Sequence, residues 1–156
     1  MNISKQIAKH FREVYFGGNW TCVNLKDQLQ DVNWQEAVTQ VYSLNTIATL
    51  TNHIHYYVKA VLKVLQGEAL NAKDIDSFEH PTIQAQMDWD EFLTNAWSDA
   101  EQFAALIEKL PDETLGELFT DPKYGIYFRN LIGIIEHTHY HLGQIAIIKK
   151  IVRQSR

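Results

Sequence analysis

Apolar residues recur at spacings of three and four over long stretches of the chain, which is the pattern of helices with one buried face. The first stretch runs from Ile3 to about Phe16, and Gly17-Gly18 is expected to end it. The second runs from about Thr46 to Gln66, with Asn45 as its predicted cap and Gly67 as its predicted end. No stretch alternates regularly enough to predict a β-strand.

Two more long helices follow in the second half of the chain. The pattern Asp88-Trp89-Asp90-Glu91 is typical of a capping box that opens a helix, and Pro111 is expected to stop that helix after Leu110. The last helix begins near Tyr124 and runs to the C-terminus. Four long helices predict an all-α four-helix bundle, which we expect to form one domain over residues 1–156.

The segments between the long helices differ in character. Before the second long helix, Asn33-Trp34-Gln35-Glu36 fits a capping box, and residues 25–29 fit another turn of helix. Residues 68 to about 87 show no period and are predicted to form a long crossover loop between helices 2 and 3. Loops of that length are uncommon unless they serve a site or a partner.

Composition and charge exclude several classes of partner. The net charge is −5 and the basic residues are scattered, so a nucleic-acid partner is not expected. No apolar run approaches the ~20 residues that span a bilayer, and no apolar run follows the N-terminus as in a secretory signal. Cys22 is the only cysteine, which excludes a disulfide framework and favours the cytoplasm. We expect Cys22 to be a small buried residue.

The strongest chemical signal lies in the last predicted helix, in Glu136-His137-Thr138-His139-Tyr140-His141-Leu142-Gly143-Gln144. His137 and His141 are one turn apart and ~40° from each other around the helix, whereas His139 points to nearly the opposite side. Two such imidazoles can share one metal ion. Asn130 and Gln144 fall within ~60° of His137 on the same face, together with Ile126, Ile134 and Ile148.

A catalytic zinc or nickel site needs a third protein ligand and open positions for water or substrate. His53 and His55 in the second long helix flank its apolar stripe at similar angles, so periodicity does not choose between them. His10 and His80 are expected to be solvated. The alternative is that the histidine pair is hydrogen-bonded in the core and binds no metal.

Part of this pattern resembles a known family. The run from His137 to Gln144 is similar to HxxxHRGQ, the last-helix signature of the DinB-like family of four-helix-bundle metalloenzymes. The run Thr46–Ile54 is similar to the stretch that carries the third ligand in that family, and the match implies His53 for that role. Leu142 stands where the family usually has Arg. The resemblance spans nearly the whole chain.

The resemblance also implies a class of activity. Family members use a divalent metal, for which three histidines favour Zn or Ni and also accept Mn or Fe. They act on small molecules by thiol transfer from a low-molecular-weight thiol or by hydrolysis, and many are homodimers. Tyr57, Asn130 and Gln144 are candidates to line the pocket, and no catalytic acid or base is assigned. The alternative function is a non-catalytic metal-binding helical bundle that acts as a ligand-binding or interaction protein.

Overall fold

The computed structural model describes residues 2–154, which form an all-helical fold with no β-strand in that range. Six α-helices are joined by loops and short 3₁₀ turns. The helices are α1 (Ile3–Phe16), α2 (Leu25–Leu29), α3 (Trp34–Val38), α4 (Ile47–Leu65), α5 (Gln86–Lys109) and α6 (Tyr127–Gln154). The 3₁₀ turns are Asp74–Phe78, Asp112–Gly116 and Pro122–Tyr124.

The four long helices contact one another in a ring, in which α1 and α4 each pack against both α5 and α6. Aromatic side chains fill the space between them. The rings of Phe11 in α1 and Phe103 in α5 meet edge to face with centroids 4.7 Å apart. Trp89 is fully buried, and its indole nitrogen donates to the carbonyl of Val32 at 2.9 Å. This core holds α4 and α6, the two helices that carry the candidate histidines, side by side.

Several predicted helix boundaries are confirmed. Helix α1 has the predicted bounds, and Gly17 ends it with φ 113°, a conformation that favours glycine. The capping box at the start of α3 is present, since Asn33 Oδ1 accepts from the backbone N–H of Glu36 and Glu36 Oε2 accepts from that of Asn33. Gly67 follows the end of α4 with φ 90°, as predicted.

The predicted N-caps of α4 and α5 are wrong by one and three residues. Thr46, and not Asn45, caps α4, because Thr46 Oγ1 accepts from the backbone N–H of Thr49 at 3.0 Å. Helix α5 begins at Gln86, so Asp88 lies in its first turn and is not its cap. From there Asp88 Oδ2 accepts from the backbone N–H groups of residues 84 and 85, at 2.8 and 2.9 Å.

Helix α6 also begins later than the predicted Tyr124. Pro122–Tyr124 forms a 3₁₀ turn, and Gly125 follows with φ 73° and reverses the chain. The backbone N–H of Phe119 then donates to the carbonyl of Gly125 at 2.9 Å. Ile126, which was expected on the inward face, therefore precedes the helix and is 37% exposed.

The long segment between α4 and α5, residues 66–85, is only partly a loop. Its 3₁₀ turn Asp74–Phe78 packs against α4. Asn52 of α4 is buried, and its Nδ2 donates to the carbonyl oxygens of Ser77 and Glu79 at 2.8 and 3.3 Å. The predicted long loop therefore contains one 3₁₀ turn, which is held against α4 by hydrogen bonds from Asn52 to its backbone. Residues 66–85 are called the connecting segment below.

Two further features bear on the sequence predictions. Within residues 2–154, no helix is long and apolar enough to cross a membrane. The expectation that Cys22 is buried is wrong: it is exposed and has φ 56° in the loop after α1.

Candidate metal centre

Three histidine side chains from two helices converge on one point. His53 comes from α4, and His137 and His141 come from α6. His137 Nε2 lies 3.0 Å from His53 Nε2 and 3.1 Å from His141 Nε2. Among the residues that the structure describes, this is the group of histidines, cysteines and carboxylates arranged closely enough to hold a metal ion. The structure thus brings together the three residues that the sequence pattern and the family resemblance indicated.

The other helical histidines lie elsewhere. His55 points from α4 towards α5, where its Nε2 is 2.8 Å from Asp99 Oδ2. Periodicity alone did not separate His53 from His55, and packing separates them because the two side chains face different neighbouring helices. His139 lies near His10 of α1, with ring centroids 6.3 Å apart.

Hydrogen bonds on the far side of two imidazoles fix their tautomers. Ser77 Oγ donates to the carbonyl of Asp74, so it must accept from His53 Nδ1, which lies 2.6 Å away. Gln144 Oε1 accepts from His141 Nδ1 at 2.6 Å. Both rings therefore carry their proton on Nδ1 and present the lone pair of Nε2 to the shared centre. Histidine ligands of metal ions are usually oriented by such outer hydrogen bonds.

The surroundings of the centre are aromatic. The His53 ring stacks on Phe78 with centroids 4.3 Å apart, and Tyr57 meets both His53 and His137 edge to face. His53 and His141 are buried and His137 is half-buried.

Burial lowers the pKa of all three histidines. For His137 the pKa falls to about 4, first because of burial and then because of the neighbouring His141 and His53. The pKa values of His53 and His141 are also lowered, chiefly by burial. At neutral pH the three rings are thus uncharged, and the Nε2 lone pairs of His53 and His141 face the shared centre. Neutral imidazole nitrogen is a ligand that divalent ions such as Zn²⁺ prefer, so the donor set fits such an ion.

A cavity of about 660 Å³ opens onto His53 and His137. Of the three predicted pocket residues, Tyr57 and Asn130 line it and Gln144 does not, because Gln144 instead orients His141. The apolar part of the wall comes from α4, the connecting segment, the loop before α6 and α6 itself. These residues are Ala60, Val61, Leu70, Ala72, Phe119, Gly133 and Ile134.

Sequence reasoning missed two residues of the site, Ser77 and Asp74, both in the connecting segment. Asp74 Oδ1 accepts from the Tyr57 hydroxyl at 2.5 Å. Burial first, and then this carboxylate, raise the pKa of Tyr57 to about 12. The available signal was the unusual length of the segment between the second and third long helices, which indicated a role in a site without saying which residues take part.

Polar groups at the start of α6 shape the other end of the cavity. Asn130 Nδ2 donates to the carbonyl oxygens of Tyr124 and Ile126 at 3.0 and 2.8 Å. Arg129 Nη1 donates to the same Tyr124 carbonyl at 2.9 Å. Arg129 and Glu136 also line the cavity. Leu142, which stands where the family usually has Arg, is buried in the core.

Comparison with known proteins adds one finding. A family model described as the DinB superfamily matches residues 23–145, which is well over half of the chain and includes all three converging histidines. No curated protein and no solved structure matches the chain.

Proposed function

Since this chain belongs to the DinB superfamily, we propose that it is a divalent-metal-dependent enzyme whose ion is held by His53, His137 and His141. Zn²⁺ or Ni²⁺ suits three imidazoles best, and Mn²⁺ or Fe²⁺ is also compatible. In this proposal the chain is one domain, the four long helices form a bundle, and the connecting segment is its crossover. A cytoplasmic location stays a prediction.

The observation that carries the proposal is the direction of the three Nε2 atoms. They point at one centre on the wall of a cavity, and Ser77 and Gln144 hold two of the rings in the tautomer that a metal requires. Structural zinc sites usually close the shell with a fourth protein ligand, whereas catalytic sites use three and leave a position open. The described residues supply three ligands and an adjacent cavity.

The proposed substrate is a small molecule, and the proposed reaction is thiol transfer or hydrolysis. A divalent ion here would supply Lewis-acid chemistry, lowering the pKa of a thiol or of water. The apolar wall of the cavity would exclude bulk water from the reacting groups. Tyr57 keeps its proton at neutral pH, because its pKa is raised to about 12, and its hydroxyl donates a hydrogen bond to Asp74 Oδ1 beside the centre. The net charge of −5 argues against nucleic acid as a partner.

Metal analysis of untagged protein tests this proposal. We expect about one ion per chain in the wild type after incubation with Zn²⁺ or Ni²⁺, and loss of that ion in His53→Ala, His137→Ala and His141→Ala. His139→Ala is the matched control, because it removes an imidazole from the same helix without touching the centre. Circular dichroism checks that all variants stay helical. Stoichiometric metal in any of the three variants, or none in the wild type, would overturn the proposal.

A non-catalytic metal-binding bundle is the second candidate. It is favoured by the state of the two carboxylates that line the cavity, since Asp74 already accepts from Tyr57 and Glu136 is exposed to solvent. Neither is poised to remove a proton from a substrate. The two functions differ in coordination: a position that exchanges water argues for catalysis, and a closed shell argues for binding alone.

A further inference from the structure

One arginine lines the cavity without a carboxylate partner. Among the described residues that line the cavity, Arg129 is the only lysine or arginine. Within residues 2–154, Arg12 is paired with Glu101 and Glu108, and Arg153 is paired with Asp31 and Glu36. Arg129 forms no ion pair in that range, and its one hydrogen bond is the donation from Nη1 to Tyr124. Its Nε and Nη2 donors are left for another acceptor.

Arg129 is exposed, but its stem and its head each have a close neighbour. Gly125 lies so close to the Arg129 stem that a Cβ atom on it would be 3.3 Å from Arg129 Cδ. The Tyr124 carbonyl holds Nη1 from the same side. Because the side chain is packed at its stem and hydrogen-bonded at its head, ordering it around a ligand costs less entropy than for a freely moving arginine.

Helix geometry gives the separation along α6 of the two residues that carry the cation and a histidine of the centre. Arg129 and His137 are eight residues apart on α6, which is a rise of about 12 Å. Both line the same cavity, and apolar groups such as Ile134 and Val61 line it as well. The two carboxylates of the cavity lie elsewhere: Asp74 is bonded to Tyr57 beside the histidines, and Glu136 adjoins His137 in sequence. The cavity thus has an isolated positive charge at one end.

We propose that the cavity binds an elongated small molecule whose carboxylate pairs with Arg129 while its other end reaches the three-histidine centre. The planar guanidinium offers donors in a geometry that matches a carboxylate, and the middle of the ligand lies along the apolar wall. This inference rests on the proposed metal function for the group that meets the histidines. It adds the substrate class: a carboxylate separated from the reacting group by an extended chain, since the backbone positions of Arg129 and His137 are ~12 Å apart along α6.

Calorimetric titration of the zinc-loaded protein with simple thiols tests the inference. The probes are mercaptopropionate, mercaptohexanoate and mercaptooctanoate, each compared with the mercaptoalcohol of equal chain length. We expect mercaptooctanoate, the longest, to bind about three- to five-fold more tightly than mercaptooctanol, which is the size of a partly exposed charge pair. Mercaptopropionate is too short to show the preference. Added salt should reduce it.

Two variants test whether Arg129 causes the preference for the carboxylate. Arg129→Gln should remove the preference for the carboxylate, whereas Lys123→Gln should retain it, because Lys123 is an exposed cation nearby that does not line the cavity. Equal Kd values for mercaptooctanoate and mercaptooctanol in the wild type, or an unchanged preference in Arg129→Gln, would overturn the inference about Arg129. Neither result would affect the proposal of a metal centre.

A zinc titration without thiol distinguishes failure of the carboxylate inference from failure of the metal proposal. Wild type and Arg129→Gln should bind Zn²⁺ with the same affinity, which also shows that the variant is folded. If neither binds Zn²⁺, the metal centre and the inference that rests on it both fall.

Discussion

At the scale of single residues, the hydroxyl of Ser77 determines how His53 is presented. It accepts from His53 Nδ1 and donates to the Asp74 carbonyl, so it both orients the ring and selects its tautomer. We expect Ser77→Ala to weaken metal affinity about 10- to 100-fold, which is typical for loss of an outer hydrogen bond to a metal ligand. Competition with a chelator of known affinity measures the change.

Ser98→Ala is the matched control for that variant. Ser98 is exposed on α5, away from the centre, and the same truncation there should leave the affinity unchanged. Equal affinity of Ser77→Ala and the wild type would show that the serine does not support the ligand.

The lowered histidine pKa values predict how the stability of the metal-free protein depends on pH. In the unfolded chain these histidines take up protons near 6.5, whereas His137 in the folded state does so only at about 4. As pH falls through this interval the unfolded state binds more protons, so the free energy of unfolding should decrease. Above pH 6.5 the histidines are neutral in both the folded and the unfolded state, so they do not make the free energy of unfolding depend on pH.

Urea unfolding at a series of pH values measures this dependence. The slope between pH 6.5 and 4 should be smaller in His137→Gln, since one of the titrating groups is gone. The window is distinct from that of Asp31, whose pKa is lowered to about 2 by hydrogen bonds from Lys149 and Arg153 and whose contribution is lost only below its ordinary value of 3.8. Stability that rises on acidification from 6.5 would contradict the assignment.

At the scale of elements, the connecting segment is held to α4 through Asn52. We expect Asn52→Ala to release the turn Asp74–Phe78, because two hydrogen bonds to its backbone are lost. Backbone amides of residues 73–79 should then exchange with solvent faster, while those of α5 keep their protection. Hydrogen exchange followed by mass spectrometry measures both regions in one experiment.

Asn95→Ala, at an exposed site on α5, provides the control for Asn52→Ala. Unchanged exchange in residues 73–79 would mean that the stacking of Phe78 on His53 is enough to hold the turn. Faster exchange everywhere would mean that the substitution destabilises the whole fold.

Sequence periodicity predicted the long helices well and their starts less well, for a physical reason. The apolar stripe is spread over many residues, so α1, α4, α5 and α6 were all found. A helix start depends on one or two hydrogen bonds, and at α5 the contact of Asp88 with residues 84 and 85 places the N-cap three positions before the predicted one.

The metal centre was predicted only in part. His137 and His141 are neighbours on one helix, and their spacing alone indicates a shared ligand. The choice of His53 came from the family resemblance, since His55 fits the helical period equally well. Ser77 contacts His53 across 24 positions of the chain. Such a contact depends on how the connecting segment folds back, and no local pattern encodes it.

At the scale of the whole molecule, the exposed side chains of α6 are relevant to whether two copies of the chain form a dimer. Ile135 and Leu142 of α6 are buried within the chain, and α6 packs against α1, α2 and α4. Tyr140 and Ile147 remain 65% and 60% exposed. A homodimer stays a prediction from the family resemblance, and these side chains are candidates for its interface.

Sedimentation velocity at micromolar concentration tests that prediction. We expect a dimer in the wild type and a monomer in Ile147→Glu, because a carboxylate would be buried without a partner in the interface. Met87→Glu, which changes an exposed side chain of α5, should stay dimeric. A wild-type monomer would exclude the dimer.

The three histidines come from two helices that are far apart in sequence. His53 and His137 are separated by 84 positions, so an ion bound to both would act as a reversible cross-link that closes a long loop. Ligand binding to the folded state alone stabilises it by about 2.7 kcal/mol when the free ion is at 100 times its Kd. The lifetime of the protein in the cell would then follow the supply of free metal. Under metal starvation the chain would lose this cross-link, unfold more often and become a better substrate for proteases.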